Sequence, residues 1–288
     1  MDVRILVVPY DSGHRAVRMG RGPLHLIEYG LEDALADAGH EPRIVMIDSD
    51  LDPPTETAVA FDLARSIARE VREARASGEF PLVLAGNCSS ALGTVAGLAS
   101  DRTGVLWFDA HADLNTPETT RSGFLDGMAT ATLTGRCWTG LTGSLAGFAP
   151  VDDSHFAFVG VRDLDPPEEA LLASSEIGRI TAAQARSAGA GLDGALSRFE
   201  GLPGLYLHVD LDVLDPAVAR ANAFAAPDGL TVAEVIEVVA RAAGKARPLA
   251  AAVTAFDPAY DERGRDSAAA TAIITGILAE AAGAAATG

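Results

Sequence analysis

Two short stretches carry residues whose types and spacing could do chemistry. In Trp107 to Gly127, WFDAHADLNTPETTRSGFLDG, the residues Asp109, His111 and Asp113 take alternate positions at the end of the apolar run Gly104 to Phe108. Side chains two apart on an extended segment point the same way, so two carboxylates and an imidazole converge on one point. Such groups repel one another unless a cation sits between them, and a divalent metal is the simplest cation that fits. In Leu205 to Pro216, LYLHVDLDVLDP, the pattern returns as His208, Asp210 and Asp212, followed by an Asp215-Pro216 turn. A lone D-x-D would read as a helix cap or a loop carboxylate pair. Two such clusters, each at the end of an apolar strand, point instead to a metal site. Bridging carboxylates with a few imidazoles suit Mn²⁺ or a similar hard divalent ion, often as a pair.

These clusters need a scaffold that brings strand ends together. Val3 to Pro9 reads as a buried strand, and after a loop rich in glycine and charge Pro23 opens a helix from Leu24 to Ala38 that stops at Gly39. Ile44 to Ile47 is a second strand. A Pro53-Pro54 turn leads into a helix from Thr55 to about Ser77, with Ala60, Leu63, Ile67, Val71 and Ala74 along one face. Strands at Pro81 to Ala85, Gly104 to Phe108, Phe156 to Val161, Arg179-Ile180, Gly204 to Val209 and Leu249 to Phe256 follow. They alternate with helices at Ala91 to Ala99, Glu168 to Ala173, Thr181 to about Phe199, Thr231 to Ala243 and Arg265 to Ala282. Regular alternation predicts an α/β fold: one parallel sheet of about eight strands with helices on both faces. In such sheets ligands bind beyond the C-terminal strand ends, where every polar cluster named above falls.

The chain has 288 residues, 48% of them hydrophobic, enough for a large core, and no composition shift marks a boundary, so residues 1–288 read as a single domain. A formal net charge of −18 argues against nucleic acid or an anionic membrane as partner. Only Cys88 and Cys137 are cysteines and no cleavable apolar leader is evident, which together predict a reducing, cytoplasmic setting. The alanine-rich stretches are interrupted by charge, and no run is expected to span a bilayer.

Taken together, D-A-H-A-D and H-V-D-L-D resemble the arginase and agmatinase family of ureohydrolases, and the similarity extends from Gly22-Pro23 to the last strand. The resemblance implies a three-layer α/β domain, assembly into trimers or hexamers, and a pair of Mn²⁺ ions whose bridging hydroxide attacks a guanidinium carbon. Carried over by motif, Asp109 and Asp210 resemble the bridging carboxylates, His111 and Asp212 complete one metal's shell, and Asp113 binds the other. The family's remaining ligand is the histidine of a G-G-D-H-S loop, which here reads Ala85-Gly86-Asn87-Cys88-Ser89. Cys88 therefore stands at a ligand position. A thiolate favours Zn²⁺ or Fe²⁺ over Mn²⁺, so Cys88 is expected to be a ligand of a weaker or different metal site or a small buried residue beside a one-ion site, whereas a nucleophilic cysteine would need a partner histidine and none is assignable. His208, where the family commonly has serine, is expected to ligate, to move a proton or to hold a bridging carboxylate.

Two departures bear on substrate. Asp126 replaces a histidine to which the family's arginases assign proton transfer, and Ala255 replaces the glutamate that pairs with the guanidinium. Asp126 or Asp257 could supply the missing charge from a new direction. The residues that resemble the family's amino-acid clamp are present: Asn115, Thr120 and Ser122 for the α-carboxylate, Asp165 and Glu168 for the α-amino group. Side chains of these types also cap turns. The expected substrate is an amino-acid-like small molecule with an altered distal group, such as an N-hydroxyguanidine. Hydrolysis by metal-bound hydroxide would follow, with Asp113 orienting the nucleophile and Asp126 or His208 passing a proton to the leaving amine. The alternatives are a mononuclear hydrolase of a formimino or amide substrate and a catalytically silent amino-acid-binding relative. Cys137 reads as a small packed residue.

Overall fold

The computed structural model describes residues 1–52, 55–100 and 102–286, so the expected Pro53-Pro54 turn lies outside the described residues. The apolar run after Asp2 forms β1 (Asp2–Val8), buried at every position but the first. It pairs in parallel with β2 (Glu41–Met46) on one side and β3 (Phe80–Ala85) on the other. The other strands are β4 (Gly104–Phe108), β5 (Phe156–Val159), β6 (Gly178–Ile180), β7 (Leu205–Asp210) and β8 (Pro248–Thr254). Among the described residues they make an eight-stranded parallel sheet in the order β2-β1-β3-β8-β7-β4-β5-β6. The four central strands β3, β8, β7 and β4 are buried on both faces and read as near-continuous apolar runs, as parallel strands covered by helices must.

Helices cover both faces. On one, α1 (Gly22–Glu28), α2 (Leu31–Asp37), α8 (Ala182–Ser187), α9 (Ala190–Leu196), α10 (Val232–Ala243) and α11 (Arg265–Ala286) pack Leu26, Leu35, Leu192, Val238 and Ile273 against Ile5, Leu82 and Val209. On the other, α3 (Glu56–Ala76), α4 (Ala91–Leu98) and α5 (Ala129–Leu133) pack Ile67, Val71, Val95 and Leu133 against Leu6, Val83, Val105 and Trp107. The buried stripe of α3 begins at Val59 rather than at the expected Ala60. Two further helices, α6 (Thr139–Thr142) and α7 (Pro166–Ser174), lie in the connections.

Three sequence expectations need correction. The helix expected over Leu24 to Ala38 is broken at Gly30, whose φ of 102° lies in the left-handed region that glycine enters without steric cost. The helix expected from Thr181 to Phe199 is likewise two pieces, divided where Ala188 takes a φ of 44°. The C-terminal helix, contrary to the expectation that no run could span a bilayer, is long and apolar enough to cross one. Its Ile273, Ile274, Ile277 and Leu278 are instead buried against α10 and the sheet, so its bulkiest apolar side chains belong to the core.

Candidate metal centre

The sheet's register builds the site. Trp107 stands beside His208 and Phe108 beside Val209 between β4 and β7, while Asp210 stands beside Thr254 between β7 and β8. Asp109 follows β4 immediately, with its N–H still donating to the Val159 carbonyl of β5 at 3.1 Å. On the other side β3 ends at Ala85, and Gly86 turns the chain toward Cys88. A Cβ at Gly86 would collide with the Tyr10 carbonyl oxygen, so only glycine lets this loop pass so close to the segment after β1. Four neighbouring strands thus deliver Cys88, Thr254, Asp210 and Asp109 to one level.

Each carboxylate is held by donors from its own surroundings. Asp109 accepts from the His111 N–H at 2.7 Å and from Trp107 Nε1 at 2.9 Å. One oxygen of Asp210 accepts the Asp212 N–H at 2.8 Å, and the other lies 3.2 Å from Cys88 Sγ. Asp212 accepts the Ala110 N–H at 3.1 Å and Asn222 Nδ2 at 3.4 Å, and lies 3.3 Å from His111 Nδ1. The loop that carries Asp212 is gripped by Arg162, which donates to the carbonyls of Asp212 (2.9 Å), Val213 (3.3 Å), Leu214 (3.3 Å), Gly160 (3.1 Å), Ala226 (2.7 Å) and Pro227 (2.8 Å).

Among the described residues two ligand groups form, Cys88 with Asp109 and Asp210, and Asp109 with His111 and Asp212, the donor atoms of each lying within 4.8 Å of one another. Both contain Asp109. The electrostatics fit a cation. Burial, with Asp212 close by, pushes Asp109 up to about 6, and burial with the same neighbours pushes Asp210 well above the carboxylate range. Burial opposes charge on His111, but its hydrogen bonds to Asp109 and Asp212 and their negative charges push it up to about 12. Burial would raise Asp212 as well, yet His111 holds it down to about 2. A metal's charge would offset the burial and mutual repulsion that push Asp109 and Asp210 up. Burial raises Cys88 too, and the surrounding carboxylates add to the effect.

A cavity of about 250 Å³ opens beside these groups, lined by His111, Asp113, Asp126, Asp210, Asp212 and Ala255 together with Asn115, Asp165 and Glu168. Asp113 sits at a left-handed φ of 50°, with Thr130 donating to its carbonyl from N (3.0 Å) and Oγ1 (2.9 Å). It stands outside both ligand groups, and burial with Asp109 and Asp126 nearby pushes its carboxyl well up. Asp126 accepts from the Ser89 N–H at 2.8 Å and from Asn87 Nδ2 at 2.9 Å, yet burial still pushes it up to about 7.

The expected clamp residues divide. Asn115 reaches Asp165 at 3.3 Å, and Glu168 accepts the N–H groups of Leu114 and Asp165, both at 2.9 Å, which fixes the start of α7 against the cavity. Thr120 does not line the cavity. Its hydroxyl accepts the Gly123 N–H at 3.1 Å, whereas the exposed Ser122 lines the cavity while its hydroxyl accepts the Phe124 N–H at 3.2 Å. Asp257 belongs to an adjoining chamber of about 750 Å³, beyond the Phe124–Phe224 pair, and is not positioned to replace the missing glutamate in the metal cavity. His208 is fully buried behind the ligands, with both ring nitrogens engaged, and is not among the residues lining the cavity. Cys137 is buried, 3.3 Å from Thr132 Oγ1, as a packed residue would be.

Some contributors were not anticipated. The roles of Trp107 and Thr254 could have been found, since each shares a strand face with a neighbour at the site. Asn222 and Arg162, which act from loops, leave no periodic signal.

The arginase family profile matches residues 1–279. The chain belongs to the arginase family. It is similar to the arginase of Bacillus caldovelox, 30% identical over 96% of this chain and 98% of that protein. The arginase of Brucella melitensis is 31% identical over 96% of each chain. Among solved structures, arginase from Bacillus cereus superposes with a TM-score of 0.86 at 26% identity, over 96% of this chain and 98% of the other. This arginase-family chain is accordingly a ureohydrolase-like hydrolase, built on the fold that its alternating elements predicted.

Proposed function

We propose that this arginase-family protein hydrolyses a C–N bond in a modified guanidino group, such as an N-hydroxyguanidine, carried by an α-amino acid. The observation that supports this reading most strongly is the pair of ligand groups sharing Asp109 beside a cavity whose lining includes Asn115, Asp165 and Glu168. Asp109, His111, Asp113, Asp210, Asp212 and Cys88 would hold two divalent ions. The carboxylates suit Mn²⁺, whereas the sulfur suits Zn²⁺ or Fe²⁺ at its own position. Bound there, the ions would supply Lewis acidity and lower the pKa of a water toward about 7.

The chain's own residues do the rest. Asp113 accepts a hydrogen bond from the attacking water and aims it. Asp165 and Glu168 receive the α-amino group, and Asn115 donates to the α-carboxylate. Asp126, half protonated near neutrality because it is buried, gives its proton to the departing nitrogen. Ala255 offers no anion, which favours a distal group less basic than an ordinary guanidinium. The buried thiols Cys88 and Cys137 suit a reducing cytoplasmic setting, and a homotrimer or homohexamer belongs to the same reading.

The test is elemental analysis of the purified protein and of protein reloaded with Mn²⁺, Zn²⁺ or Fe²⁺, each sample assayed for urea from arginine and hydroxyurea from N-hydroxyarginine. About two ions per chain with faster release of hydroxyurea would bear the proposal out. Bound metal with no release from either compound would overturn it in favour of a formimino or amide substrate or an amino-acid-binding role.

A further inference from the structure

Behind the ligands lies an ordered set of polar groups that the proposed reaction does not use. Tyr206 OH lies 2.7 Å from His208 Nδ1, His208 Nε2 lies 3.1 Å from Thr254 Oγ1, and Thr254 Oγ1 lies 3.2 Å from Cys88 Sγ. Tyr206, His208 and Thr254 are all wholly buried. The imidazole is stacked on Trp107 with ring centroids 3.5 Å apart and an interplanar angle of 8°, and the same indole donates to Asp109.

A neutral imidazole has one N–H and one lone pair, so a chain passing through it can run in only one direction at a time. In one direction Tyr206 donates to Nδ1, Nε2–H donates to Thr254, and Thr254 donates to Cys88. In the other, every arrow reverses: Thr254 donates to Nε2, and the thiol proton goes to Thr254 or to Asp210, whose carboxylate lies 3.2 Å from the sulfur. A sulfur that ligates a metal has released its proton to solvent and can only accept. The first direction is the one that gives such a sulfur a hydroxyl donor.

We propose that Tyr206, His208 and Thr254 are positioning residues that hold the Thr254 hydroxyl where it can donate to Cys88 Sγ, and so steady that sulfur as a metal ligand among carboxylates. This rests on the metal centre proposed above. The donor offsets part of the repulsion that Asp109 and Asp210 impose on a negative sulfur, and Trp107 ties the chain to the shared carboxylate. A partner hydrogen-bonded to a ligand commonly changes metal affinity 10- to 100-fold.

Co²⁺ is the probe, because a thiolate bound to it gives a charge-transfer absorption in the near ultraviolet. Co²⁺-loaded protein should show this band, and T254V should move it to longer wavelength and weaken Co²⁺ retention about tenfold by removing the donor to sulfur. T254S, which keeps the hydroxyl, should restore both. H208F keeps a ring on Trp107 but removes both hydrogen bonds, and should shift the band in the same direction. If T254V does not fold, T254A serves in its place with the same expected shift. Co²⁺ bound without the band would overturn the inference while leaving the hydrolase reading intact. A band that T254V or T254A leaves unmoved would overturn the role of the chain. Failure to bind Co²⁺ at all would overturn this inference and the metal centre together.

Discussion

Replacing Arg162 with methionine removes a guanidinium that touches no proposed ligand side chain yet holds the backbone of one. Its hydrogen bonds reach the carbonyls of Asp212, Val213 and Leu214 at 2.9, 3.3 and 3.3 Å, and those of Gly160, Ala226 and Pro227 at 3.1, 2.7 and 2.8 Å. A hydrogen bond from a charged donor contributes about 1.5–3 kcal/mol, but such contributions are not additive around one group. Arg162 is only partly buried, so water can reclaim the outer carbonyls. Counting only two of the three carbonyls of the buried ligand loop, because the contributions are not additive, gives a loss of about 3–6 kcal/mol. At about 2 °C per kcal/mol for a chain of this size, the expected fall in Tm is about 10 °C. Loosening the loop also frees Asp212, so metal affinity should fall about 10-fold or more. R162K should behave nearly as badly, because one ammonium cannot span these acceptors. Thermal unfolding followed by circular dichroism, with a chelator competition for metal, reads both effects. A Tm within about 3 °C of wild type together with unchanged metal affinity would refute the claim that this guanidinium organises the loop.

Asp126 should impose a pH dependence of definite sign. Its folded value of about 7 exceeds the ordinary 3.8, so the native state holds a proton that the unfolded chain releases. Metal-free protein should accordingly lose stability as pH rises from about 4 through 7, and D126N should shrink that loss in a comparison of Tm at pH 5 and pH 8. With metal bound, kcat should fall above about pH 7 as the proton donor is lost, and D126N should remove this limb while lowering kcat about 100-fold. A255E should restore an anion to the cavity and shift the ratio of kcat/KM values toward arginine, relative to N-hydroxyarginine, by about tenfold, the worth of one charged hydrogen bond. N115A should raise KM for an α-amino acid about tenfold while T120A leaves it within about twofold, since the Thr120 hydroxyl serves its own turn; equal effects would show that both side chains touch substrate.

Much of the architecture was legible because parallel strands buried on both faces announce themselves as apolar runs, and Asp109, His111, Asp210 and Asp212 alternate at the ends of two of them. The breaks at Gly30 and Ala188 were hidden because apolar spacing continues across each, and a single left-handed residue does not disturb it. Thr120 and Ser122 look alike in sequence whether they bind a carboxylate or cap a turn, and only their N–H partners separate the two uses. His208 shares a strand face with Asp210, yet its neighbours Trp107 and Thr254 come from other strands and turn it into the core. Arg162 and Asn222 act between loops distant in sequence, where local pattern carries no information about contact.

Asp109 has a consequence for how this centre could change over time. Because one carboxylate serves both donor groups, the two halves share a wall, and removing it empties both. A drift toward a one-ion enzyme would have to begin at an outer corner, at a residue belonging to one group alone. Cys88 and Asp210 are such corners on one side, His111 and Asp212 on the other. Substitutions at these positions would be felt across the shared wall as altered affinity in the neighbouring half, so the choice of metal on one side constrains what the opposite side can tolerate.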